Sequence, residues 1–268
     1  MRSPFPPGDE LASWSTPGPL DEFSIAPGAK LPYRGAMTAE ILTYTLEGTT
    51  AFVQMDDGKA NALSGAMIDA LLSALARAEK EASALVLAGR PDRFCAGFDL
   101  RVMMSSPAAA KELLGRGADL FMKLYGASIP LVMACTGHAL AGGALVLLTG
   151  DARIGAEGAF RIGLNEVSIG MAVPVLAMEL ARDRLAPTEL ARATLMAQIY
   201  APEEAAKVGY LDTVVPAADV LARAREEAVR LGALPRAPFA ATKTRLRSKT
   251  IAHILATFED DMRSLMGG

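Results

Sequence analysis

Three stretches of this chain carry residue types that can stabilise charge or move a proton. "RIGLNEVSIGMAVP", Arg161–Pro174, holds a single carboxylate, Glu166, among Ile, Leu, Val and Met. Such an acid is either a base kept in a dry pocket, where loss of water raises its pKa towards a useful range, or a helix-start residue facing water. "FCAGFDL", Phe94–Leu100, and "TGHALAGGALVL", Thr136–Leu147, are glycine-containing turns that each follow a strand-like segment. Glycine there allows a positive φ or a close approach of backbone to a ligand. The second turn also opens a helix, whose first amides favour negative charge. Two such turns facing each other could form an oxyanion hole for a carbonyl oxygen that gains charge. Strand–glycine–helix junctions recur across α/β proteins, so one turn alone is a weak signal and ordinary packing is its plain alternative.

These residues need strands that end at them and helices that leave from them. "ILTYTLEG" and "TAFVQMDD" read as a hairpin. Ser64 is a good N-cap for a helix whose Met67, Ile68, Leu71, Leu72 and Leu75 share one face. "SALVLAG", "IPLVMACTG" and "DARIGA" read as buried strands, and residues 108–125 and "GGALVLLTG" as helices. From Val175 the pattern is helical through "VLAMELARDRL", "PTELARATLMAQ", "PEEAAKVG", "AADVLARAREEAVRLG" and "PFAATKTRLRSKTIAHILATFEDDMRSLM". Strand–helix units followed by helices predict an α/β fold with a C-terminal helical region, divided as 37–230 and 231–268. Residues 1–36, rich in Pro, Gly and Ser and holding Trp14, read as an irregular arm or leader, with Met37 opening the regular sequence.

Composition narrows the function classes. The chain has 268 residues, 51% hydrophobic and 21% charged, which suits one sizeable globular domain with a small appendage. Lys+Arg 27 against Asp+Glu 30 gives a formal charge of −3, so neither nucleic acid nor an anionic membrane is indicated as a main partner. No apolar run reaches the roughly 18 residues of a membrane span, and no signal peptide opens the chain. Cys95 and Cys135 sit in apolar segments without metal-like spacing, which points to buried thiols in a reducing, cytoplasmic setting and to no metal.

Taken in order, "KANALS" (Lys59–Ser64), "FCAGFDL", "GHALAGGALVLLTGDARIGA" and "IGLNEVSIGM" resemble the successive signatures of the crotonase, or enoyl-CoA hydratase/isomerase, superfamily. "EEAAKVGYLDTVVP" (Glu203–Pro216) is similar to the family's segment after the active site, and "FAATKTRLR" to its C-terminal helix. The resemblance runs from about Met37 to the end. It implies a ββα-spiral core with a C-terminal helical region, a homotrimer or dimer of trimers, and acyl-CoA thioester chemistry through an enolate. It also implies no cofactor beyond the coenzyme A that is part of the substrate. The Phe98 and Gly142 amides would donate to the thioester oxygen. Ala96 would offer its carbonyl to the adenine amino group, and Ala60 and Ala62 would line the CoA groove. Arg101, Lys59 and Lys243 are candidates for the CoA phosphates, with a solvated surface role as the alternative for each.

One departure matters. Hydratases of this family use two glutamates, one of them three residues beyond the oxyanion glycine. Here that position is Leu145, and no carboxylate lies between Ala139 and Gly150. The second glutamate falls where Glu166 stands, in "IGLNE", which resembles the Δ3,Δ2-enoyl-CoA isomerase branch. Hydration must orient and deprotonate a water and also protonate carbon, a division of work that suits two carboxylates. A double-bond shift needs one carboxylate near both C2 and C4, and Leu145 would keep the site dry. The rivals are another crotonase reaction such as hydration, and a non-catalytic CoA- or RNA-binding homologue. His138 reads as packing or a local hydrogen bond, His253 as surface or interface, Asn165 as a helix cap more than a partner of Glu166, Asp99 as a turn residue, and Cys95 as buried rather than nucleophilic. Met103, Met104, Met122, Met171 and Met178 are either acyl-pocket lining or ordinary core.

Overall fold

In the computed structural model, which describes residues 41–265, the apolar runs 84–88 and 131–135 become the centre of a six-stranded sheet. The arm expected at residues 1–36 lies outside the described residues. β1 (Leu42–Glu47) and β2 (Thr50–Met55) form the expected antiparallel hairpin. β3 (Ala84–Ala88), β5 (Leu131–Cys135), β7 (Ala152–Ala156) and β9 (Thr213–Val215) follow in parallel, in the order β1-β2-β3-β5-β7-β9. Both faces are covered, which is why β3 and β5 read as unbroken apolar runs rather than alternations. Leu85, Leu87, Leu131 and Met133 face one core, and Val86, Ala88, Val132 and Ala134 face the other.

A second, three-stranded parallel sheet stands beside the first: β4 (Asp92–Cys95), β6 (Gly137–Leu140) and β8 (Ile162–Gly163). Successive turns of the chain add one strand to each sheet, the spiral that the family resemblance implies. The short strands lie within or beside the segments read as glycine turns, so those turns are strand ends as well.

The helices close both faces. α1 (Gly65–Glu81) starts at Ser64, whose hydroxyl accepts from the Met67 amide at 3.2 Å, and it buries Met67, Ile68, Leu71 and Leu75. α2 (Leu100–Met103) is a single turn, and α3 (Pro107–Tyr125) packs on α1. α4 (Gly142–Thr149) is buried at every residue, as an all-apolar helix in a core must be. α5 (Val175–Arg184) and α7 (Pro202–Val208) form as expected. The segment "PTELARATLMAQ" keeps only one turn, α6 (Leu190–Ala193). The Thr194 hydroxyl donates back to the Leu190 carbonyl at 2.7 Å, and further on Ala197 takes a φ of 49°, which no continued right-handed helix allows. α8 (Val220–Gly232) lays Val220, Ala224 and Ala228 on the outer face of the large sheet. α9 (Arg236–Leu265) is the long C-terminal helix. Among the described residues, no helix is long and apolar enough to cross a membrane.

Candidate active site

The chemistry-bearing residues meet because the small sheet is parallel. Its three strands run in one direction, so their C-terminal ends lie at one edge. The chain leaves β4 into Ala96–Asp99, β6 into Ala141–Gly142, and β8 into Leu164–Glu166. The Ala141 amide donates to the Gly163 carbonyl at 3.0 Å, tying the second turn to the strand that leads to Glu166. The two turns also touch: a β-carbon on Gly97, which has a φ of +93°, would stand 3.1 Å from the Gly142 nitrogen. Gly143 has even less room, since a β-carbon there would fall 2.0 Å from the Cys95 carbonyl oxygen. Glycine at both positions is what lets the start of α4 press against the end of β4.

The direction of the Phe98 amide follows from its neighbours' hydrogen bonds. Phe98 and Leu63 form a parallel bridge, with the Leu63 amide bonded to the Gly97 carbonyl at 2.8 Å and the Asp99 amide to the Leu63 carbonyl at 3.3 Å. That pattern uses the groups on either side of Phe98 and turns its own N–H the other way. The Phe98 ring is held edge-on to Phe121, with centroids 6.0 Å apart. Gly142 is the first residue of α4, so its N–H is one of those with no intrahelical acceptor. Ala141 before it adopts φ 49° and ψ −124°, a rare conformation for a residue with a side chain. Neither the Phe98 nor the Gly142 amide donates to a protein acceptor among the described residues.

Glu166 is 6% exposed. It immediately precedes a single 3₁₀ turn, Val167–Ile169, and its side chain makes no capping bond. The turn is held instead by the Glu166 carbonyl, which accepts from the Ile169 amide at 3.1 Å and the Met171 amide at 2.9 Å. Its carboxylate oxygen Oε2 is buried without a hydrogen-bond partner, and burial holds its pKa above the ordinary carboxylate value. The water-facing, helix-start reading is therefore wrong for this residue. The capping reading of Asn165 is wrong as well, because Glu166 occupies the cap position and the Asn165 Oδ1 is buried without a partner. Leu145, one turn into α4, is buried in the main core.

The groove residues come together through main-chain bonds. The Ala96 amide donates to the Ala60 carbonyl at 3.0 Å, and the Ala62 amide to Asp57 Oδ2 at 3.2 Å. Ala60, Ala62 and Ala96 are half-buried neighbours along this seam. The sequence reading missed the residue that fixes it, Asn61. Fully buried at a φ of 53°, Asn61 donates to the carbonyls of Met55, Arg93 and Phe94. Only the positive φ tolerated by Asn could have hinted at it. Lys59 is exposed at the rim, and Arg101 is exposed and paired with Asp99 at 3.1 Å.

Lys243 corrects the sequence reading. It is 5% exposed, its Nζ lies 2.7 Å from Asp151 Oδ2, and burial pushes its pKa down to about 8. Arg247 pairs with the other Asp151 oxygen at 2.9 Å. This buried ion pair docks α9 and leaves Lys243 no free cation for a phosphate.

The plain readings hold for His138, Cys95, Asp99 and Met122. His138 Nδ1 accepts from the Arg161 amide at 3.0 Å, and its ring stands edge-on to Phe160. Burial pushes the Cys95 thiol up to about 12, far from a reactive thiolate. Asp99 caps α2 through the Arg101 amide. Met122 is core, whereas Met104 and Met171 are exposed. Among the described residues, no cluster of three or more His, Cys, Asp or Glu could hold a metal ion.

Residues 45–265 match the family described as enoyl-CoA hydratase/isomerase. The chain is similar to enoyl-CoA delta isomerase 1, mitochondrial, of Rattus norvegicus, at 29% identity covering 81% of this chain and 77% of the relative. It is also similar to a probable enoyl-CoA hydratase of Rhodobacter capsulatus, at 31% identity covering 77% and 81%. Among solved structures, an enoyl-CoA hydratase/isomerase family protein of Pseudomonas syringae superposes with a TM-score of 0.82 at 36% identity, covering 84% of this chain and 98% of that one.

Proposed function

The chain belongs to the enoyl-CoA hydratase/isomerase (crotonase) family, and from that premise we propose that it is an enoyl-CoA isomerase moving a double bond from C3 to C2. What supports this reading is one buried carboxylate, Glu166, on the chain leaving the same edge of the small sheet as Phe98 and Gly142, with Leu145 buried in the hydratase partner's position.

Members of this family act on acyl-CoA thioesters. In our reading the thioester oxygen lies between the Phe98 and Gly142 amides. Negative charge that develops there is met by preorganised donors, which acidifies the C2 hydrogens. Glu166 takes a proton from C2, and the electron pair delocalises into the carbonyl as a dienolate. The carboxylic acid so formed returns a proton to C4. The pair then rests as a C2–C3 double bond and the oxyanion collapses to the carbonyl. Glu166 ends as a carboxylate, so the cycle closes with no net proton. Burial supports both halves, because a raised pKa makes the carboxylate a stronger base and its acid form accessible. No resident cofactor is required, since coenzyme A arrives with the substrate.

Ala60, Ala62 and Ala96 would wall the CoA groove, with Lys59 and Arg101 at its exposed rim for the phosphates. Val167, Ile169 and Met171 around Glu166, with Leu195 and Met196, expose apolar side chains. That supports a homotrimer or dimer of trimers covering this surface. The buried free thiols Cys95 and Cys135 support a reducing compartment, which we read as the cytoplasm. Purified protein offered 3-enoyl-CoA and 2-enoyl-CoA separately should isomerise the first and leave the second unhydrated. Fast hydration without isomerisation would sink the proposal.

A further inference from the structure

Gly117 is buried in the interior of α3. Its backbone does not require glycine, because it is helical and has no positive φ. Glycine is also a poorer helix former than alanine. What requires it is the Phe98 ring. A β-carbon on Gly117 would fall 2.4 Å from both Cε1 and Cζ of Phe98. The missing side chain is a notch in α3, and the tip of the ring fills it.

The ring is boxed in on its other sides. Phe121, one turn further along α3, meets it edge-on. The opposite ring edge faces the start of α4, where a β-carbon on Gly142 would lie 3.3 Å from Cδ2 of Phe98. α3 is itself pinned beside the notch, since Arg116 donates to the Gly65 carbonyl at 2.9 Å and pairs with Asp69 of α1. One residue therefore links three elements. Its main chain carries the first amide, its Cδ2 edge bears on the residue that carries the second, and its tip is seated in α3. Resting on the reading of the Phe98 and Gly142 amides as oxyanion donors, we propose that Gly117 is a positioning residue for that pair: its notch seats the Phe98 ring, and the seated ring sets where both amides point. Gly115 supplies the contrast on the same helix. Among the described residues, a β-carbon there would meet only Phe258 Cε1, at an ordinary 4.0 Å.

The test uses the full chain and hexanoyl-CoA isotope-labelled at the thioester carbonyl, a saturated probe with no double bond to move. In wild type the infrared carbonyl band of the bound probe should lie below its free position, because the donors polarise it. Gly117→Ala should return the band towards the free position. Its kcat with 3-enoyl-CoA should fall about 10–10²-fold with KM unchanged, the scale of a misplacement of up to about 1 Å. Gly115→Ala gains the same helix propensity and should match wild type in both. Phe98→Leu keeps the amide but leaves the notch empty, and it should also lose the shift. Adding Gly117→Ala to Phe98→Leu refills the notch and should regain most of it, a comparison free of overpacking. A wild-type band and kcat in Gly117→Ala overturn the proposal, as does a Phe98→Leu defect that Gly117→Ala leaves unimproved. An unshifted band in wild type would instead refute the oxyanion reading itself, so the two failures are distinct.

Discussion

A side-chain carbon on Gly97 would stand 3.1 Å from the Gly142 amide nitrogen, so the two turns that supply the proposed oxyanion donors are in direct contact. Neither can move without the other. The end of β4 sets where α4 begins, and the rare backbone conformation of Ala141 is held between them.

Gly97→Ala should therefore act on both turns at once. It forces a side chain into a φ of +93° and pushes on the Gly142 amide. Losing one oxyanion donor typically costs about 10²–10³ in rate, and kcat/KM should fall by that much. The strain should also cost about 1–2 kcal/mol of stability. Steady-state kinetics with 3-enoyl-CoA and urea unfolding read the two effects separately, and unchanged kinetics would remove Gly142 from the oxyanion role.

Glu166 should reveal its burial through stability as well as rate. Desolvation raises its folded pKa above its unfolded value of about 4.3, so the protonated form favours the fold. The resulting contribution is fully present below the unfolded pKa and is lost as pH rises through the folded pKa. Glu166→Gln never ionises and escapes that loss. The variant should be more stable than wild type at pH 8, by about 1.4 kcal/mol for each pH unit that separates the folded from the unfolded midpoint, and the advantage should shrink as pH falls to about 4. Its turnover should drop about 10²–10⁴-fold with CoA affinity retained. Urea unfolding at the two pH values checks the sign, and wild type proving the more stable at pH 8 would contradict it.

The Asp151 network makes a prediction of the opposite kind. Asp151 carries Lys243 and Arg247 and accepts from the Leu131 amide at 2.8 Å. Asp151→Asn leaves two buried cations short of a counter-charge, a situation that typically costs about 3–5 kcal/mol. Lys243→Met, by contrast, should leave CoA affinity unchanged, which calorimetric titration with CoA can measure. A large loss of affinity would return Lys243 to the phosphate site.

What the sequence discloses depends on how far each residue's partners lie along the chain. The hairpin, the Ser64 cap and the two-faced core strands follow from local periodicity and are found in place. The strands of the small sheet are two to four residues long, too short for any period, and they pair only because the spiral brings them together. Lys243 sits in an amphipathic helix and reads as a surface cation, but its partner Asp151 is 92 residues away. Glu166 is ambiguous locally, because Val167 and Ile169 beside it are exposed while it is buried. Its neighbourhood is settled by β8 lying against β6, a contact absent from any window of sequence.

The central claim is that one carboxylate, shielded from water, serves both carbons. A 3-enoyl-CoA carrying deuterium at both C2 positions, turned over in ordinary water, tests it directly. A single buried acid that returns the proton it took should leave a substantial share of product with deuterium at C4. Product whose C4 hydrogen comes entirely from solvent, or product appearing as the 3-hydroxyacyl-CoA, would contradict the account.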